Sequence, residues 1–191
     1  NDMRIVLASG SPRRKELLEM LGLEFEICPA RGEESVQEGL SPEETVISLA
    51  SEKAREVSAR FPGDTVVIAA DTVVCAEGEL LGKPRDRADA VRMLKLLSGR
   101  SHYVYTGVCV MYGGVSLAEA EATEVRFRAV SDEEINAYAD TGEPMDKAGA
   151  YGIQGKASVL IEGINGDYYN VMGLPLCRLG GILKTIGVHL L

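Results

Sequence analysis

The chain has 191 residues, 46% hydrophobic and 26% charged, with a net charge of −9; this is a globular composition, without the basic field that broad nucleic-acid binding needs. No apolar run approaches the ~20 residues that span a bilayer, and the short apolar run at 5–8 has no cleavage site behind it, so neither a membrane protein nor a signal peptide is expected. Cys28, Cys75, Cys109 and Cys177 are scattered without a C-x-x-C pair, which fits reduced thiols and a cytoplasmic location.

Asn1 and Asp2 stand before an expected initiator, Met3, and are read as a remnant of expression; the chain 1–191 is expected to form a single domain. Residues 4–8 read as a buried strand and 11–21 as a helix, with a second strand at 25–28. Residues 41–60 carry clear helix signals: Ser41 as N-cap, Pro42 at the first position and Glu44 completing a capping box. A β-branched run at 65–70 predicts a strand that ends at Asp71, followed by a short hairpin, 73–75 with 79–81, across Glu77-Gly78. Helical spacing returns over 87–97, and two long strands, 101–112 and 115–128, meet at Gly113-Gly114. Ser131 opens another capped helix that stops at Thr141-Gly142. A glycine-rich stretch, 149–155, leads to a hairpin expected to turn at Asn165-Gly166, and a last helix covers about 175–186. The alternation predicts an α/β protein whose mixed sheet is bent into two lobes.

Charge placement carries the chemistry. In Ser9-Gly10-Ser11-Pro12-Arg13-Arg14, Ser11 and Pro12 open the helix, and Arg13, Arg14 and Lys15 crowd its first turn. A helix N-terminus prefers acidic residues, so a basic cluster there, together with free amides, marks an anion site; an exposed basic turn is the alternative. Lys53 falls on the apolar stripe of Val46, Leu49, Ala50 and Val57, either snorkelling to water or holding a phosphate. Asp71 closes an apolar strand, either as a simple terminator or as a carboxylate at the sheet edge where ligands bind. Glu33-Glu34 offers a second carboxylate, and two oxygen ligands beside phosphates suit Mg²⁺. Gly149, Gly152 and Gly155 match no dinucleotide or P-loop pattern but allow close backbone approach to a ligand. His102 and His189 neighbour no nucleophile, and neither a G-x-S-x-G elbow nor a zinc cluster is present. The residues alone reach a protein that binds a compact anion with Mg²⁺.

Leu7-Ala8-Ser9-Gly10-Ser11-Pro12-Arg13-Arg14, Ala70-Asp71-Thr72-Val73-Val74, Gly82-Lys83-Pro84, the run from Asp146 to Gly155 and Gly173-Leu174-Pro175-Leu176 together resemble the Maf family, over about residues 3–186. The resemblance implies a fold related to inosine triphosphate pyrophosphatases, with a central cleft between two lobes. It also implies hydrolysis of nucleoside triphosphates between the α and β phosphates, dependent on Mg²⁺ or Mn²⁺. By motif, Asp71 takes the general-base position, with Lys53 and Lys83 as further catalytic candidates. Ser9, Arg13, Arg14, Thr72 and Gln154 match substrate-binding positions, and Glu34 with Asp71 the metal positions. The combination of Arg13, Thr72 and Gln154 resembles the branch acting on dTTP and UTP rather than the sister branch acting on 7-methyl-GTP. The alternatives are action on non-standard purines such as ITP, and a non-catalytic nucleotide-binding regulator of cell division. A homodimer is one oligomeric state compatible with the sequence.

Overall fold

A computed structural model of the chain describes residues 3–32 and 34–191. Asn1, Asp2 and Glu33, and with them the reading of the N-terminal remnant and half of the Glu33-Glu34 pair, lie outside the described residues. The strands are β1 (Ile5–Leu7), β2 (Glu26–Ile27), β3 (Val66–Ala76), β4 (Glu79–Leu81), β5 (Ser101–Tyr112), β6 (Val115–Phe127) and β7 (Ile161–Asn165). The helices are α1 (Pro12–Met20), α2 (Pro42–Ser58), α3 (Arg87–Leu97), α4 (Asp132–Asp140), α5 (Tyr168–Met172) and α6 (Leu176–Thr185). One mixed, twisted and open sheet takes the order β2-β1-β3-β5-β6-β7, with β4 also paired to β3.

The residues fall into two compact units. The first comprises Asn1–Asp71, Thr106–Glu121 and Gly173–Leu191. In it β1 runs parallel to both β2 and β3, and residues 5–7 and 66–70 are all buried, as continuous apolar runs are when a parallel sheet is covered on both faces. Helix α2 lays Ala50, Ala54 and Val57 against Val6, Ala8, Val67, Ala69 and Cys109. These residues are small, and the helix comes so close that a Cβ on Gly107 of β5 would overlap the Val46 carbonyl. Both cap features of α2 expected from Ser41 and Glu44 are present.

The second unit comprises Thr72–Tyr105 and Ala122–Met172. Its core gathers Val74, Leu81, Leu94, Leu97, Val104, Val125, Phe127, Ile135 and Leu160. Along β5, His102 and Val104 are buried while Ser101 and Tyr103 are exposed, the alternation of a sheet with one face packed. The hairpin β3–β4 turns on Glu77 (φ 49°) and Gly78 (φ 78°), and β5–β6 on Gly113 (φ 58°) and Gly114 (φ 78°). Two successive left-handed residues make the tight turn whose twist matches its strands.

Two sequence expectations are corrected. First, β3 does not end at Asp71. It continues to Ala76, because Val73 and Val74 sustain the strand pattern and β4 pairs with residues 74–76. Second, Asn165-Gly166 does not turn a hairpin. β7 pairs back with β6, and the chain enters α5, because the Asp167 carboxylate accepts from the amides of Tyr169 (2.8 Å) and Asn170 (3.3 Å) and so caps the helix.

Candidate active site

The site begins where β1 stops. The last bond of this parallel pair runs from the Ala8 amide to the Ile68 carbonyl, and Ser9 and Gly10 then lead into α1. Ser11 caps the helix by accepting from the Arg14 amide at 3.4 Å, and Pro12 follows as expected. No acidic residue occupies the first turn. Arg14 folds back instead of pointing along the helix. Its Nε donates to the Gly173 carbonyl at 2.7 Å and its Nη1 to Ser9 Oγ at 3.3 Å, while Ser9 Oγ also accepts from the Ser11 amide at 3.2 Å. The guanidinium thus ties the loop after β1 to the segment before α6. Desolvation lowers its proton affinity, opposed by the negative charge of Asp71 and reinforced by neighbouring Arg13.

Asp71 lies three residues beyond Ile68, the last residue of β3 paired with β1, and just before the stretch paired with β4. The whole residue is only 7% exposed. Lys53, from the apolar face of α2, donates to its Oδ1 at 2.6 Å and lies 3.5 Å from the Ala70 carbonyl. The same ammonium is 3.2 Å from Glu34 Oε1. Burial raises the pKa of Asp71 above the usual carboxylate range even against the lowering effect of Lys53. A charged pair of which one member is buried persists because the ion left alone would cost several kcal/mol.

The amides of Arg31 and Gly32 donate to the Glu56 carboxylate, Arg31 at 2.7 Å, and Arg60 pairs with the same group. Beside Lys53 opens a pocket of about 220 Å³ whose lining includes Gly32, Glu34, Glu52 and Glu56. Sequence reasoning missed Glu52 and Glu56. The only signal in the sequence was two like charges four apart on one helix face; the backbone amides that bind Glu56 are brought to it by the tertiary fold.

Two bonded groups, Ser9 with Arg14 and Lys53 with Asp71 and Glu34, therefore lie in the first unit, and the charges of Arg14 and Asp71 act on each other; Arg13 is half-buried beside Arg14. Thr72, Lys83 and Gln154 belong to the second unit. Thr72 is half-buried on β3 directly after Asp71, whereas Lys83 and Gln154 are exposed on loops. Those two loops are joined, since the Gly149 amide donates to the Gly82 carbonyl at 3.1 Å. The glycine spacing also receives a different explanation from close ligand approach. Gly149 is left-handed (φ 71°) against Val74, Gly152 covers the Lys147 stem, and Gly155 leaves room for the Glu143 carboxylate.

A parallel sheet with a buried carboxylate beyond its edge, next to a helix start that carries arginines, is an anion-handling arrangement in an α/β protein. The fold is of the HAM1 type. A HAM1 protein from Coxiella burnetii superposes with a TM-score of 0.53 at 18% identity, covering 96% of this chain and 100% of that one. More particularly, the family model described as Maf-like protein matches residues 4–186, and the chain belongs to the Maf family. A dTTP/UTP pyrophosphatase of Symbiobacterium thermophilum is 53% identical over 184 residues, 96% of this chain and 94% of that protein. A protein of the same name from Thermococcus gammatolerans is 54% identical over 172 residues, 90% and 91% of the two chains.

Proposed function

We propose that this chain hydrolyses dTTP and UTP between the α and β phosphates, giving the monophosphate and pyrophosphate, with a divalent ion, Mg²⁺ or Mn²⁺. The observation that carries this reading is the buried Asp71, paired with a Lys53 that also pairs with Glu34, in a chain about half identical to proteins named dTTP/UTP pyrophosphatase. The donor set suits the metal. Two carboxylates converge on one ammonium, and hard oxygen donors are what Mg²⁺ takes from a protein. Among the described residues no group of three or more His, Cys, Asp or Glu could hold a metal by itself, so phosphate oxygens and water would complete the shell. Asp71 and Glu34 are the residues that would hold the ion, which when bound supplies charge neutralisation and a more acidic water.

The chain's own groups then divide the work. Asp71, with its pKa raised by burial, takes the proton of the attacking water at a carboxylate oxygen. Lys53 balances the charge of Asp71 and, as the phosphates arrive, that of their developing oxyanion. Arg14 and Ser9 bind phosphate near the start of α1, with Lys83 as a further positive charge. Gln154, with Thr72 and Arg13, reads the base. A carboxamide offers a donor and an acceptor to the O4 and N3–H edge of thymine or uracil, and a guanidinium, which cannot accept, disfavours the amino group of cytosine. The same proposal places the chain in the cytoplasm, consistent with four free thiols.

The test is pyrophosphate release from dTTP, UTP, CTP, ITP and 7-methyl-GTP under one metal condition. The expected outcome is the highest kcat/KM for dTTP and UTP. A purine at the top overturns the pyrimidine reading while leaving a pyrophosphatase. Hydrolysis of none would support the non-catalytic regulator.

A further inference from the structure

Gln154 sits in a turn that is pinned at both ends. The Gly155 amide donates to the Gly152 carbonyl at 3.0 Å, which closes a β-turn with Ile153 and Gln154 at its two central positions. The Gln154 side chain is exposed at this tip. Before the tip, the Gly152 amide donates to the Tyr138 hydroxyl at 3.1 Å. After it, the Lys156 amide donates to Glu143 Oε1 at 3.2 Å. The two anchors are bonded to each other, the Tyr138 hydroxyl donating to Glu143 Oε2. Tyr138 comes from α4 and is buried in the core of the second unit, so the turn is fastened to a rigid element.

The surrounding residues leave no slack. Glu143 Oε1 fills the space a Cβ on Gly155 would need, and the Lys147 stem fills that of Gly152. Lys147 Nζ in turn donates to the Glu143 carbonyl at 2.8 Å. Two glycines flanking a turn, one buried and one half-buried here, would ordinarily loosen it. Here each is the residue that lets an anchor approach.

We propose that Tyr138 and Glu143 are positioning residues for base recognition: they hold the turn 152–155 so that Gln154 presents its amide in one place. This rests on the assignment of Gln154 to the base made above. Neither residue touches the substrate in this proposal. Their effect is on the fit of Gln154, and therefore on discrimination rather than on the chemical step.

The experiment measures kcat/KM for UTP and for CTP with wild type, Tyr138→Phe, Glu143→Ala, Glu143→Gln and Gln154→Ala under one metal condition. Loss of one anchoring hydrogen bond is expected to lower the UTP-to-CTP ratio by about three- to tenfold. The loss should appear as a raised KM for UTP with kcat largely kept. Glu143→Gln, which still accepts from the Lys156 amide, should fall between wild type and Glu143→Ala. A purely structural role would lower the melting temperature and the activity on both substrates together, leaving the ratio unmoved. If Gln154→Ala collapses the ratio while Tyr138→Phe and Glu143→Ala retain it, the positioning role is overturned and the reading of Gln154 stands. If Gln154→Ala retains the ratio, the assignment of Gln154 falls and the positioning role with it. Should the anchor variants fail to fold, hydrogen exchange of the wild-type protein decides. The amides of Gly152, Gly155 and Lys156 should be protected like core amides of the same unit, and exchange at the rate of an open loop overturns the proposal.

Discussion

Asn in place of Asp71 keeps the shape of the side chain and removes both its charge and its capacity to take a proton. Lys53 would keep Glu34 as a partner, so the fold is expected to survive. Loss of a general base costs about 10²- to 10⁴-fold in rate. Pyrophosphate release beside a thermal melt checks both halves of the expectation, and near-normal turnover removes Asp71 from the chemistry. Arg14 is a different case. Its position at the wrong end of a helix dipole argues that Arg14→Ala should be neutral or slightly stabilising. The structure reverses that sign, because the side chain also holds the Gly173 carbonyl and Ser9. We expect Arg14→Ala to weaken turnover and to destabilise by about 1–3 kcal/mol, read from a denaturant midpoint. The lysine on the apolar stripe of α2 is legible in the helical period, as is the basic start of α1. What Arg14 and Glu56 hold is not legible, because Gly173 and the amides of Arg31 and Gly32 are brought to them only by the tertiary fold.

Helices with explicit caps were the most readable elements, since Ser41 with Glu44 and Ser131 with Glu134 satisfy the free amides within four residues of sequence. The left-handed turns at Glu77-Gly78 and Gly113-Gly114 were readable for the same local reason. Where the outcome depends on a distant partner, local signals failed. Asp71 looks like a strand end until β4 returns to pair with the residues after it. Asn165-Gly166 looks like a hairpin turn until Thr123 Oγ1, packed under Gly166, donates to the Asp167 carbonyl at 3.0 Å and fixes the start of α5. The contact between α2 and β5 gives the sharpest prediction at this scale. A methyl group on Gly107 meets helix backbone, which cannot rotate aside as a side chain could. Gly107→Ala is expected to destabilise by about 1–3 kcal/mol or more, and a melting temperature equal to wild type would show that α2 can shift on the sheet at little cost.

For the molecule as a whole, His102 sets a pH dependence. Burial holds its pKa down at about 4, against about 6.5 in an unfolded chain. Its Nε2 meets the Tyr151 hydroxyl at 2.7 Å, and its ring packs edge-on against Phe127 and Tyr151. Between these two values the unfolded chain binds a proton that the folded protein refuses. The contribution of neutral His102 is therefore complete above about 6.5 and is lost as the pH falls toward about 4, amounting to roughly 3 kcal/mol across the window. His102→Phe should flatten the fall in urea midpoint over that range, and an unchanged slope would locate the dependence in other groups. Stability has a second control in the hairpin between β3 and β4. Glu77 is held left-handed there at a cost of about 1–2 kcal/mol, and its exposed pair with Arg100, at 3.7 Å, returns little. Asparagine suits that backbone, so Glu77→Asn should raise the melting temperature by about 2–4 °C for each kcal/mol recovered. That substitution would widen the range of changes the chain tolerates elsewhere. Active-site variants too unstable to isolate from the native background could be studied in it, and its lineage could explore new base preferences that the parent could not survive.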